Sequence, residues 1–317
     1  MKAMVIKAFG GPDVFEEREM EIPEPGINEL LVKVYAAAVN PVDYKIRMSG
    51  SWAGIKPPVI IGYDASGTVE RTGPGVEAFK AGDEVFFTSL IFGNSNGTYA
   101  EYTVVNENIA ALKPRNLSFS EAAAIPLAGG TAQDAIINLA KVRPGELVLI
   151  HAGAGGVGSF AVQMASASGA RVIATCSEKN NDLVRSLGAI ATINYKKEDF
   201  AQAFLKMTGG EEADVVFDTV GGDTIARSIE ITKYFGRIIS IVNTTGDLNK
   251  AYIKNIILYF LFLERSKHKM QLLKTLAEQG RIKPVIDSVF PLEQIAEAHK
   301  KIEKGGVGGK IVIKVRN

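Results

Sequence analysis

Four glycines, Gly153, Gly155, Gly156 and Gly158, follow closely on the apolar run Leu147 to Ile150. They lead into a stretch of small and apolar residues, Phe160, Val162, Met164 and Ala165 among them, that ends at Gly169. This order of residue types predicts strand, tight turn and helix, with a second strand from Arg171 to Thr175. Glycine at such a junction lets the chain turn sharply and lets a diphosphate approach the backbone. The helix behind it offers unpaired N–H groups and a partial positive charge. The backbone from Gly153 to Gly158, Val157 included, is therefore the candidate cradle for the pyrophosphate of a dinucleotide. Four glycines alone are a weak signal; a strand before and a helix after make it a strong one.

The second strand selects the nucleotide. A site for NAD(H) carries Asp or Glu at that strand's end to accept from the ribose 2′-hydroxyl, whereas a 2′-phosphate needs donors and positive charge. Here the strand ends Ala174-Thr175-Cys176, and neither Cys176 nor Ser177 is acidic. The Ser177 hydroxyl and the Lys179 ammonium suit a phosphate, which points to NADP(H). Glu178, between them, is the opposing feature and reads as a solvated loop charge.

The elements that must position this cradle follow from the rest of the chain. At 317 residues and 46% hydrophobic composition, the length suggests about two domains with ample material for two cores. The 36 basic and 35 acidic residues are well mixed, which excludes the one-sided charge of a nucleic-acid or anionic-membrane binder. The longest apolar run, 256–263, is far short of the ~20 residues of a membrane span and reads as a buried strand or an interface segment. The N-terminus alternates like a strand and has no signal-peptide core, so a cytoplasmic location is expected. Cys176 is the only cysteine, which excludes an intrachain disulfide and a cysteine-rich zinc site. His151, His268 and His299 are scattered, so no metal site is expected.

Residues 1–121 read as short β-rich runs punctuated by Gly, Pro and Asn, the pattern of a small barrel. From Ser120 helices alternate with apolar strands, which argues for a parallel, doubly wound α/β sheet over 122–265. Ser120-Glu121 is expected to open a helix at Ala122, 126–131 to be a break, and 132–139 to be helical. Later strands are expected at 190–194, 215–218, 238–242 and 257–263, with a helix over 224–233. The tail, 266–317, is β-rich again and is expected to complete the first domain.

The segments AVNPVDYKIR, GTYAEY, PLAGGTA, HAGAGGVGSFAVQMA, VIDSVFPLEQIAEAH and GGKIVIKV, in that order from end to end, resemble the medium-chain dehydrogenase/reductase superfamily. The likeness is to its zinc-lacking branch of NADPH:quinone oxidoreductases and enone reductases. The resemblance implies a GroES-like β-barrel domain interrupted by a Rossmann domain, an active site in the cleft between them, and a homodimer. Zinc-dependent members carry a Cys in the segment matching 38–43 and a His within Gly-His-Glu; this chain has Ala-Val-Asn-Pro-Val-Asp and Gly62-Tyr63-Asp64. Without a Lewis acid for an alkoxide, hydride delivery to a quinone or an α,β-unsaturated carbonyl becomes the better chemistry, because the incoming charge spreads to an oxygen that hydrogen-bond donors can stabilise.

By the same resemblance Asn40 lies near the nicotinamide and the substrate carbonyl, and Thr131 touches the nicotinamide end. Tyr195 matches a tyrosine beside the 2′-phosphate and adenosine. Asp218, at the head of DTVGG, lies where the cofactor passes the sheet edge, and Val242 and Asn243 approach the carboxamide through backbone groups. For a proton donor the candidates are Tyr44 and Tyr63, with solvent as the alternative; the tyrosine of related enoyl-thioester reductases has no counterpart near Trp52. The implied function is a zinc-independent, NADPH-dependent reductase of quinones or enones. A zinc-free alcohol dehydrogenase or carbonyl reductase and a non-catalytic NADPH-binding sensor are the rivals. Replacing Lys179 with Ala should weaken NADPH binding about ten- to a hundredfold, the loss of one charge-assisted bond, and leave NADH within about twofold, as read by calorimetric titration.

Overall fold

The computed structural model describes residues 1–316. Two compact units form: Met1–Gly130 together with the C-terminal stretch from Glu264, and Thr131–Leu263. The division after Gly130 falls later than the sequence reading places it, because the helix Phe119–Ala123 packs on strands of the first unit.

The first unit is built on a seven-stranded sheet. Along it run Ile286–Pro291, Lys310–Lys314, Glu29–Val39, Asp64–Thr72, Glu84–Thr88 and Ala110–Leu112, with Tyr102–Asn106 paired to Glu29–Val39 off that path. A three-stranded sheet of Phe15–Glu19, Lys2–Ile6 and Val59–Ile60 completes it. Glu29–Val39 is the hub. Its alternating buried Leu30, Val32 and Val34 pack with Val85, Phe87 and Val105, while Ala37 and Val39 face a second cluster with Ile6, Ile46, Tyr99 and Ile313. The C-terminal strand runs antiparallel to this hub with Ile311 opposite Val39 and Lys314 opposite Ala36. That register brings Lys310 to the end of the hub, beside Asn40.

The second unit is a six-stranded parallel sheet in the order Ala191–Asn194, Arg171–Cys176, Leu147–Ile150, Ala213–Asp218, Thr232–Ser240 and Ile257–Phe260. Leu147–Ile150 is central and all four residues are buried, as expected of a strand covered on both faces. Leu147, Leu149, Ile173, Val216 and Ile238 meet Phe200, Phe204 and Ile225 in one core.

Several expectations are corrected. The expected break at 126–131 is helical: Pro126–Gln133 forms an α-helix, its proline in the first turn where a missing N–H costs nothing, and a π-helical stretch Asp134–Leu139 continues it. The preceding helix is opened by Ser118 rather than Ser120, since Glu121 answers the Ser118 N–H at 2.9 Å in a capping box. The helix expected over 224–233 ends at Ser228, and the fifth strand already begins at Thr232. Ile257–Phe260 is an edge strand with Ile257 and Phe260 exposed, not a buried one. Among the described residues no helix is long and apolar enough to cross a membrane.

Candidate active site

In the second unit the glycine turn is shaped by close packing. A Cβ on Gly153 would lie 2.6 Å from the Ala174 methyl of the second strand, and one on Gly158 only 2.1 Å from the Ala152 carbonyl oxygen. The first glycine thus lets the turn lie on the sheet, and the second lets the helix pack against the turn. Thr175 ties the two together, its Oγ1 accepting the Ala152 N–H at 2.9 Å and its carbonyl accepting the Gly153 N–H at 2.9 Å. Gly155 caps the helix Gly156–Ala167 and has no side chain to occupy the first-turn N–H groups. An open N-terminus, backed by twelve helical residues, fits a diphosphate.

At the end of the second strand Cys176 is buried, its Sγ within 3.3 Å of Asn181 Oδ1. Ser177 makes no capping bond to the short turn Glu178–Asn180 that follows. Glu178 pairs with Lys197 at 2.6 Å, both side chains well exposed. Its charge is therefore answered from the next strand's loop. Tyr195 stands half exposed just beyond Ala191–Asn194, with the Lys196 ammonium 6.0 Å from its ring centre. Ser177, Lys179 and Tyr195 thus occupy the ends of adjacent parallel strands, Cys176 lying opposite Asn194. Lys196 and Lys197 add positive charge there.

Asp218 is buried and spent on its own loop. Its Oδ1 accepts the Val220 and Gly221 N–H groups at 2.9 and 3.1 Å, and its Oδ2 accepts from Ser240 at 2.9 Å. Its side chain shapes the turn. The Val242 N–H lies 3.3 Å from Ser240 Oγ, and the Asn243 carbonyl accepts from Gly222 at 3.1 Å, so these backbone groups too are tied into the same turn. Thr131 is buried at the first position of this unit, inside the helix Pro126–Gln133.

The first unit carries a buried polar knot around Asn40, which is 1% exposed. The Asn40 Nδ2 donates to Asp64 Oδ2 at 2.9 Å and, more weakly, to the Ala38 carbonyl at 3.3 Å. Its Oδ1 accepts from the Lys310 ammonium, which also lies 3.4 Å from Asp64 Oδ2. The other Asp64 oxygen accepts the Leu127 N–H at 3.0 Å. Buried charge is tolerable here because lysine, carboxylate and amide satisfy one another. The Asn40 N–H donates to Asp43 Oδ2 at 2.8 Å, and the Tyr99 hydroxyl donates to the same oxygen at 2.6 Å. Burial pushes the Asp43 carboxyl up to about 7 against the pull of these donors and of Lys310.

The structure therefore brings Asn40 and Tyr63 into one unit with ionisable groups that sequence reasoning missed: Asp43, Asp64, Tyr99 and Lys310. Tyr63 is 1% exposed, and its hydroxyl has no partner among the described residues. Burial first, and the Asp43 charge second, hold its phenol well above the usual range. Tyr44 lies on the helix Pro41–Ser49 and is half-buried, outside this bonded knot. The one available signal for Asp43 was its place three residues after Asn40, where a helix's first turn reaches back to the cap. Lys310 gave none, since 270 positions separate it from Asn40.

A GroES-like barrel unit and a doubly wound parallel sheet with a glycine cradle define a pyridine-nucleotide oxidoreductase of two units. Comparisons with known proteins agree. Residues 26–115 match the model for the alcohol dehydrogenase GroES-like domain, and residues 187–313 match that for zinc-binding dehydrogenase. The chain is 34% identical to a quinone oxidoreductase of Sus scrofa over 99% of its own length and 97% of that protein. It is equally 34% identical to an NADPH-dependent alkenal/one oxidoreductase, chloroplastic, of Arabidopsis thaliana, over 99% of this chain and 79% of that one. A solved NAD-dependent alcohol dehydrogenase superposes with a TM-score of 0.94 at 36% identity, covering 100% of both chains. The chain belongs to the medium-chain dehydrogenase/reductase superfamily, in the branch of quinone oxidoreductases and enone reductases.

The name of the second matching model implies zinc, but the residues do not fit it. Where zinc-dependent members carry Cys and His, this chain places the Asn40 amide, already bonded on both ends, and the Tyr63 phenol, with the Lys310 ammonium alongside. Among the described residues no three His, Cys, Asp or Glu side chains converge as a metal ion needs. A Gly158→Ala variant should lose affinity for NADPH and NADH alike by roughly a hundredfold or more, with its circular dichroism unchanged at 20 °C or so, because its methyl displaces the helix end from the turn.

Proposed function

We propose that this chain is a zinc-independent, NADPH-dependent reductase of quinones and α,β-unsaturated carbonyl compounds. The observation that carries the reading is the pairing of an open, glycine-packed helix N-terminus with a second-strand end that holds Ser177 and Lys179 and has its one acidic residue engaged by Lys197. Two named relatives, a quinone oxidoreductase and an NADPH-dependent alkenal/one oxidoreductase, support the substrate class and the cofactor.

When bound, the reduced nicotinamide supplies a hydride. The rest is the work of this chain's residues. First-turn N–H groups of Gly156–Ala167 neutralise the diphosphate, while Ser177 and Lys179 hold the 2′-phosphate with Tyr195 against the adenosine. Asn40, held by Lys310 and Asp64, orients the acceptor carbonyl; the 3.3 Å bond to Ala38 is the one a substrate oxygen would take over. An acceptor whose negative charge is delocalised needs no stronger stabiliser than such a donor. Tyr63 is the favoured proton donor or substrate wall of the pair with Tyr44, since its hydroxyl is buried without a partner among the described residues.

A second reading, carbonyl reduction or alcohol oxidation with NAD(H), is favoured by the structural likeness to an NAD-dependent alcohol dehydrogenase. Purified protein should oxidise NADPH with 1,4-naphthoquinone or trans-2-hexenal at least about tenfold faster than with simple ketones, followed by nicotinamide absorbance. Turnover confined to simple ketones or alcohols would establish the second reading, and tight NADPH binding without turnover a sensor.

The active form is a homodimer. The edge strand Ile257–Phe260 leaves its outer backbone unpaired within the sheet, and Phe260 and Phe262 are 62% and 58% exposed beside it. An open, apolar sheet edge is a template for a second copy. Sedimentation should give a dimer for the wild type and a monomer for Phe260→Asp.

A further inference from the structure

Asp43 ends a buried chain of donors that the reading above leaves without a role. The chain starts at Arg47, whose Nη1 lies 2.7 Å from the Glu303 carboxylate and 3.1 Å from His299 Nδ1. Arginine can only donate, so His299 Nδ1 accepts and the ring proton sits on Nε2. Burial, aided by the Arg47 charge, keeps this ring neutral by holding its pKa down to about 3. Its Nε2 lies 3.3 Å from the Tyr99 hydroxyl oxygen, and Tyr99 hands its own proton to Asp43 Oδ2 at 2.6 Å. Each proton in the series is therefore ordered toward one carboxylate oxygen.

The same oxygen holds the Asn40 N–H at 2.8 Å, at the start of the helix Pro41–Ser49 that carries both Asp43 and Arg47. Its sister, Oδ1, is buried and has no partner among the described residues. Donors and the Lys310 ammonium favour the charged form; burial and the Asp64 carboxylate oppose it. Facing groups from other elements are Tyr99, Tyr63, Asp64 and Lys310, with the Arg265 guanidinium acting on Tyr63 and feeling Asp43 in turn. A carboxylate accepts about twice as strongly as a neutral acid, so its protonation state sets how firmly the Asn40 backbone is held.

We propose that Asp43 is a positioning residue for the reduction: ionised, it grips the Asn40 N–H and keeps the Asn40 amide fixed between Lys310 and Asp64, and protonated it loosens that grip. The proposal rests on the reading that Asn40 faces the acceptor. Its consequences have opposite signs for rate and stability. The folded chain holds the Asp43 proton up to about pH 7, whereas the unfolded chain loses it near 3.8. This group's contribution to stability is therefore full at low pH and is lost as pH rises through that window, while the rate rises as the carboxylate forms.

The first test reads the carboxyl directly, without turnover. Infrared titration of the full chain, labelled with 13C-carboxyl aspartate, should show a protonated buried acid that disappears near neutral pH. Asp43→Asn should remove the band, and Tyr99→Phe, which deletes one donor to the carboxylate, should carry it to higher pH. The second test follows single turnovers with NADPH and 1,4-naphthoquinone from pH 5.5 to 9. Wild type should gain roughly fivefold or more through neutrality, and Asp43→Asn should stay near the low-pH wild-type rate throughout. Absence of a titrating carboxyl, a band insensitive to Asp43→Asn, or a wild-type acid limb surviving in Asp43→Asn would overturn the proposal. An Asn40→Ala variant that turns over like wild type would instead remove the placement of Asn40 at the acceptor, with the infrared result standing by itself.

Discussion

The first unit depends on the pairing of its last strand with its hub. Lys310–Lys314 lies antiparallel to Glu29–Val39, and the register that sets Ile311 against Val39 delivers an ammonium to the buried end of the hub. A lysine that is 4% exposed would be untenable there alone. Asn40 and Asp64 make it tenable, and in exchange the lysine fixes which end of the Asn40 amide points where. Residues 270 positions apart thus determine the orientation of one side chain. Removing any one member would strand the others in a dry interior, which is why such a knot behaves as a unit.

The second unit rests on a different constraint, the distance of closest approach between backbone segments. Gly153 and Gly158 are required by what surrounds them, a methyl of the neighbouring strand and a carbonyl of the turn, before any ligand is considered. The same closeness leaves the helix start uncovered. Packing and anion binding are served by one set of missing side chains, which explains why the signal is readable in a linear sequence.

Positions where the sequence misled share a cause. Pro126 and the glycines after it look like a break, yet a proline in a helix's first turn is no obstacle, and Ile125, Ala128 and Ala132 are buried by tertiary packing. Of the two readings of 256–263, a buried strand or an interface segment, the strand order removes the first by putting Ile257–Phe260 at the edge. Local composition cannot distinguish these outcomes, because burial is decided by what packs on a segment rather than by the segment itself.

By itself the sequence determined the parallel sheet, the return of the tail to the first unit, and the strand–glycine turn–helix unit of the second. Each of these is written in periods, glycine positions and residue types that act over a few neighbours. Only the tertiary structure decided the surroundings of Asn40. Asp64 and Lys310 reach it, and Tyr99 reaches its neighbour Asp43, from strands and loops far along the chain, and long-range register carries no mark in the residues themselves. Nor could composition tell that Glu178, in the turn after the second strand, is answered by Lys197 from the adjacent loop, since ion pairs form between neighbours in space.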